Sequence, residues 1–314
     1  ENIEQYLSNT TLLTAKDLSV MRKKLVELNN LRGVFVANAK APDKKERSLY
    51  FEKYEFIQNY GMKVTKTKFS LPLMFSQHFY STIELGNYIR KSNTVLEKLS
   101  TKHNWIKKRV GTIKKQGLTY NAFNMFLAHG CLAAEICSKN NYTIDEKVVK
   151  ELSYAAHYLE DMNESHHATN NPAIFTNHSK FEKYAKKSKE MFVIESISAI
   201  SNIPALETSE VEFWSNYAYD RFLNFDYLEN REGIDSFRTV CEWIGLISNL
   251  FASGVVDYKT DNRGDRVQWA LSSNKEDWNK NLAQTIPMAQ LSVSLFLFTF
   301  VAYVSTPNTF DFKC

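Results

Sequence analysis

The chain is 314 residues long, 44% hydrophobic and carries a formal net charge of +4, enough apolar material to bury a sizeable core in one domain. So mild a charge does not of itself point to nucleic acid or a membrane surface. Ten glycines and six prolines are too few for an all-β chain full of tight turns.

Helical periodicity runs through the chain. Residues 19–31 place apolar side chains at helical spacing beneath a basic outer face. Residues 85–118 are crowded with basic side chains, Lys107, Lys108 and Arg109 among them. That segment reads as a solvated basic face, or as a contact for an anionic membrane surface or a partner protein. Residues 119–139 set Phe123, Phe126, Leu127, Ala134 and Cys137 in a stripe uninterrupted by proline. Thr143 and Glu146 have capping-box spacing and predict the start of a helix that carries His157 and Asp161. Residues 170–172 and 305–307 read as loops, and residues 243–256 and 289–304 as further core helices. The apolar run within the last of these, about fourteen residues, is short for a bilayer and suits a buried helix. With no internal repeat, the expected fold is all-α, one multi-helix domain over residues 1–314.

Cys131 and Cys137 would stand about 9 Å apart along one helix, beyond the roughly 7 Å a disulfide tolerates, whereas Cys241 with Cys314 stays open. The polar first residues show no cleavable signal peptide, as would also hold for a mature chain. Glycosylation sequons occur at Asn9, Asn141, Asn163 and Asn177. A glycan on Asn177 would crowd the neighbouring His178, so that sequon is expected to go unused.

The histidines carry the chemistry. Four of the seven fall between His157 and His178, where even spacing would put about 0.5. His157 with Asp161, and His178 with Glu182, are i,i+4 pairs, which a helix presents on one face one turn apart. Imidazole nitrogen and carboxylate oxygen are donors that zinc accepts, and two such pairs with His166 and His167 between them point to a metal site. His129, on an apolar helix, reads as a satisfied core histidine, and His103 as an exposed one. His166 should face about 100° away from His167 on a helix and is assigned no role.

These blocks resemble the zinc-dependent phospholipase C family of bacterial secreted enzymes, of the phosphatidylcholine phospholipase C and alpha-toxin catalytic-domain type. His157, Tyr158, Asp161, His167 and Asn170 match the family's H-Y-x-G-D and H-x-x-N elements, with Glu160 at its glycine and Ser165 at its proline. His178, Ser179, Lys180, Phe181 and Glu182 follow its H-S-K-Y-E block, and Phe75 to Tyr80 resemble its F-x-x-H-F-Y segment. The resemblance covers roughly residues 70–305. It implies a multi-helix fold of the phospholipase C and P1 nuclease type, with His78, His157 and Asp161 on one zinc and His167, His178 and Glu182 on a second. It also implies Phe75 in a head-group pocket and secretion or a lumenal location. The family's third zinc uses an N-terminal tryptophan and a nearby histidine; here the first tryptophan is Trp105 and no histidine precedes His78. Its general-base aspartate, about fourteen residues before the His78 position, has no counterpart, since no acidic residue lies between Glu55 and Glu84.

The expectation is therefore a divergent N-terminal part (about 1–70), a basic insertion (about 85–118) and about two zinc ions. The implied activity is hydrolysis of phospholipid head-group phosphodiesters, releasing diacylglycerol and a phosphorylated head group. The H-S-K-F-E block favours lipid over the single-strand nucleic acid cleaved by the related nucleases. The alternative is a weakened or inactive zinc-stabilised module that binds a partner protein or membrane.

Overall fold

Nearly every element is helical, and the long apolar ones are sheathed by the others. In the computed structural model the described residues are 15–44, 76–82, 86, 101, 121–172, 176–193, 237–255, 258–260 and 266–306. Phe75, His103 and, apart from Gly86 and Thr101, the basic segment 85–118 lie outside them.

An N-terminal arm comprises α1 (Ala15–Asn30), α2 (Arg32–Asn38) and the single turn α3 (Ala41–Lys44). Met21 of α1 is wholly buried in the main core. The paired helices α4 (Ala122–Lys139) and α5 (Glu146–Met162) form the centre. Asn121 caps α4 by accepting from the Asn124 amide at 2.9 Å. The cap of α5 is Asp145, whose carboxylate accepts from the amides of Lys147 and Val148, both at 3.0 Å. The expected Thr143 cap is thus corrected by two residues. Asp145 wins because a carboxylate at the helix N-terminus gains from the macrodipole as well as from the amides. Between the helices Asn141 and Tyr142 take left-handed φ of 49° and 57°.

A single turn of helix follows, α6 (Ser165–Ala168), and then the longer α7 (His178–Ser188). Further along, α8 (Phe237–Leu250) runs into a π-turn, Phe251–Val255, and a small antiparallel hairpin pairs β1 (Tyr258–Thr260) with β2 (Arg266–Gln268). The chain then enters α9 (Lys275–Ser305). This helix starts well before the expected 289 and passes through Pro287. Proline forfeits the bond to the carbonyl four residues back, at about 3 kcal/mol. Burial along both sides of the proline, including Leu282, Met288, Leu291 and Leu295, offsets that cost at roughly 1.5–3 kcal/mol per side chain. By length and composition α9 could cross a membrane, but 67% of its apolar window is buried inside the protein. It acts as a core helix.

Phe296 of α9 meets Phe126 of α4 edge-on at 5.1 Å and Phe237 of α8 at 6.3 Å. Gly245 lets α8 close on the centre: a Cβ there would lie 3.1 Å from the side chains of Met162 and Phe123. The Ser248 and Ser292 hydroxyls bond at 2.7 Å between α8 and α9, so the two buried polar groups satisfy each other. His129 is the expected core histidine, its Nδ1 2.7 Å from Glu151 Oε2 and its ring stacked on Tyr158. Cys137 and Cys241 are free buried thiols and Cys131 is disulfide-bonded. The pairing left open for Cys241 is therefore corrected, because Cys241 is sealed inside α8 against the core.

Candidate metal centre

The last two turns of α5, the turn α6, the first turns of α7 and the segment 76–82 converge on one wall. Segment 76–82 has little regular structure beyond a 3₁₀ turn, Ser76–His78, and is fixed instead by hydrogen bonds. The Tyr80 amide donates to His167 O at 3.2 Å and the Ala122 amide donates to Phe79 O at 3.2 Å. Asn249 of α8 donates to Tyr80 O at 2.9 Å and accepts from the Thr82 amide and hydroxyl at 2.8 Å. These bonds hold His78 against α5 and Phe79 against the rings of His167 and His178, with centroids 4.6 and 5.8 Å away.

Two clusters result. In the first, His157 Nε2 lies 3.2 Å from His78 Nδ1 and 3.4 Å from Asp161 Oδ2, and His78 Nδ1 lies 2.7 Å from the same oxygen. In the second, His167 Nε2 faces His178 Nε2 at 3.1 Å, and Glu182 Oε1 lies 3.2 Å from the latter and 3.8 Å from the former. Asp161 links the clusters, since its Oδ1 is 2.9 Å from His167 Nδ1. All six residues assigned to zinc from the sequence are therefore neighbours on this wall. The structure adds two more. Glu164 Oε2 lies 3.8 Å from the Nε2 atoms of both His167 and His178, and Asp43 Oδ1 lies 3.5 Å from His157 Nε2.

The donors fit zinc. Bonds of about 2.0–2.1 Å in a tetrahedron separate ligand atoms by about 3.3–3.4 Å. The separations in the second cluster, 3.1 to 3.8 Å, bracket that edge. Two imidazole nitrogens facing each other with carboxylates on either side could hold a metal ion. In the first cluster the 2.7 Å His78–Asp161 contact is a hydrogen bond, and the remaining separations suit a shared ion.

The histidines form a buried floor, and Glu182 and Asp43, with side chains 50% and 54% exposed, form an open lip. Electrostatics knit the floor together. Burial pushes the Asp161 carboxyl up, but His157, His78 and His167 overcome this and hold it well below the usual carboxylate range. Glu164 is held down in the same way, mainly by His166. Burial alone would lower His167, yet Asp161, Glu164 and Glu182 raise it to about 9. Burial dominates at His157 and lowers it.

His166, assigned no role from the sequence, is fully buried. Its Nδ1 lies 3.0 Å from Glu164 Oε1 and its Nε2 3.1 Å from Asn177 Oδ1, while its ring stacks on His178 at 4.8 Å. Outer partners of this kind orient metal-binding groups. Asn177 uses its amide nitrogen to donate to Ser272 O, and the buried Asn163 donates to Leu159 O. Ser165, at the family's proline, accepts from Asn281 of α9 at 2.7 Å and so ties α6 to the core.

No protein-family model matches the chain, and no curated protein matches it in sequence. Solved structures do. An alpha toxin from Clostridium absonum is similar at 16% identity and a TM-score of 0.56 over 94% of this chain. The Clostridium perfringens alpha-toxin from avian strain SWCP is similar at 16% identity and a TM-score of 0.51 over 95%. The chain spans 60% of the length of each toxin. The fold is that of the helical domain of these toxins, as the sequence resemblance implies.

Proposed function

We propose that the chain is a zinc-dependent phosphodiesterase of the phospholipase C type, acting on the head groups of membrane phospholipids. One observation carries the reading: two sets of histidine and carboxylate donors, joined by Asp161, on a fold shared with the clostridial alpha toxins. His78, His157 and Asp161 would hold one zinc; His167, His178 and Glu182, with Glu164, would hold the other. A bound zinc pair supplies charge neutralisation at phosphorus and a water acidic enough to be hydroxide near neutral pH.

The chain's own residues do the rest. Phe79 braces the His167 and His178 rings, so the donors are set before substrate arrives and no reorganisation is needed at the moment of reaction. The half-exposed Glu182 and Asp43 mark the side from which a head group enters. By resemblance Phe75 belongs to the head-group pocket. By the same resemblance the protein is secreted and meets its substrate at a membrane surface.

Absence of acidic residues from 56 to 83 favours a second reading, a zinc-stabilised module with weak or no turnover. Assay of the zinc-loaded chain on phosphatidylcholine vesicles, phosphatidylethanolamine vesicles and single-stranded DNA, with Glu182→Gln as control, separates the two. Head-group release abolished in the control is expected. DNA cleavage instead would move the chain to the nuclease branch, and no turnover with zinc bound and the fold intact would leave the module.

A further inference from the structure

The two clusters are unequally furnished. The second has four candidate donors, His167, His178, Glu182 and Glu164. The first has two imidazoles and Asp161, whose carboxylate is divided between His78 on one oxygen and His167 on the other. A further oxygen stands ready beside it. Donor atoms of Asp43, His78 and His157 all lie within 4.8 Å of one another, and the 3.5 Å from Asp43 Oδ1 to His157 Nε2 is close to a tetrahedral zinc edge of about 3.3–3.4 Å.

An exposed carboxylate near a histidine is commonly an ion pair of little net worth. The way Asp43 is delivered argues for more. Ser153 of α5 donates to Phe35 O of α2 at 2.7 Å, and the Ile144 amide donates to Glu27 of α1 at 3.3 Å. The arm is thus tied both to the segment just before α5 and to the middle of that helix. His157 is one turn beyond Ser153 on the same face, and the arm reaches it with Pro42 buried and Asp43 facing the imidazole. Pro42 fixes the backbone immediately before the carboxylate.

We infer that Asp43 is the fourth ligand of the first zinc, and that loading this zinc fastens the N-terminal arm to α5. The inference rests on the zinc reading above. Counting and titrating zinc on the full chain by native mass spectrometry and chelator competition tests it. The parent should hold two ions. Asp43→Asn should keep the second at parental affinity and weaken the first by more than the roughly 100-fold that loss of an outer-shell partner brings at most. Asp43→His, which restores a donor, should recover much of that affinity, and Glu135→Gln, far along α4, should change nothing. Trypsin supplies a second readout. Zinc should slow cleavage at the exposed Arg32 and Lys40 in the parent but not in Asp43→Asn. Two zincs at parental affinity in Asp43→Asn, with unchanged protection of the arm, would overturn the inference and leave the zinc reading standing. A parent that binds no zinc, or that loses none on His157→Ala, would overturn both.

Discussion

Truncating His178 to alanine isolates the second metal set from the rest of the wall. His178 is 4% exposed, and its Nε2 lies 3.1 Å from His167 Nε2 and 3.2 Å from Glu182 Oε1. Without it the set loses one of its two imidazoles and keeps only His167, Glu164 and the half-exposed Glu182, so its zinc should be held far more weakly. A ligand at one hundred times its Kd stabilises the native state by about 2.7 kcal/mol. Two zincs held at that ratio add about 5.4 kcal/mol, of which His178→Ala should remove about half. At roughly 2–4 °C per kcal/mol, the melting temperature gained on adding zinc should fall by about 5–10 °C. The comparison is made within each protein, with and without zinc, because losing the ring from its stack on His166 also lowers the metal-free melting temperature. Differential scanning calorimetry with chelator and with buffered zinc gives both numbers. An undiminished zinc shift in His178→Ala would refute the assignment of the second set.

Acidity should oppose the metal. The metal-free His167 is raised to about 9 and must lose its proton to bind zinc, so apparent affinity should climb by about tenfold per pH unit from 7 to 9 in zinc titrations. Stability of the metal-free chain should run the other way: the His167 contribution is complete below about pH 6.5 and lost as pH rises through about 9, which chelated samples would reveal by calorimetry. Asp145→Ala should cost about 1 kcal/mol through the lost helix cap without altering zinc content, read by denaturant unfolding. Thiol reagent should leave Cys137 and Cys241 untouched in the native chain, since burial pushes Cys137 up to about 12 and Cys241 well above the ordinary thiol range.

The donors legible in the sequence are those whose spacing is local. His157 with Asp161 and His178 with Glu182 declare themselves because a helix repeats every 3.6 residues, and the same logic marked α4, α5 and the apolar end of α9. Asp43 gave no such signal, since it meets His157 across 114 residues through a contact that only the docking of the arm creates. Glu164 was readable in part. Its place three residues before His167 is cap spacing, and it does cap α6 by accepting from the His167 amide at 2.8 Å, but nothing local says that the same carboxylate reaches His178. His166 gets no role from the sequence because it faces away from His167, and helix geometry alone does not show what packs against that second face. On so short a turn, wedged between α5, α7 and α9, opposite faces are both buried, and the residue pointing away from the donors becomes the one that braces them. The sequence reading of α9 begins at 289, where the apolar run is dense, whereas the helix starts at Lys275 and passes through Pro287.

The most direct test of the central claim is an anomalous-difference map from crystals of the zinc-loaded chain, collected at the zinc edge. Two peaks are predicted, one among His78, His157 and Asp161 and one among His167, His178 and Glu182. A map with no peak at either cluster, or with zinc bound only elsewhere on the surface, would contradict it.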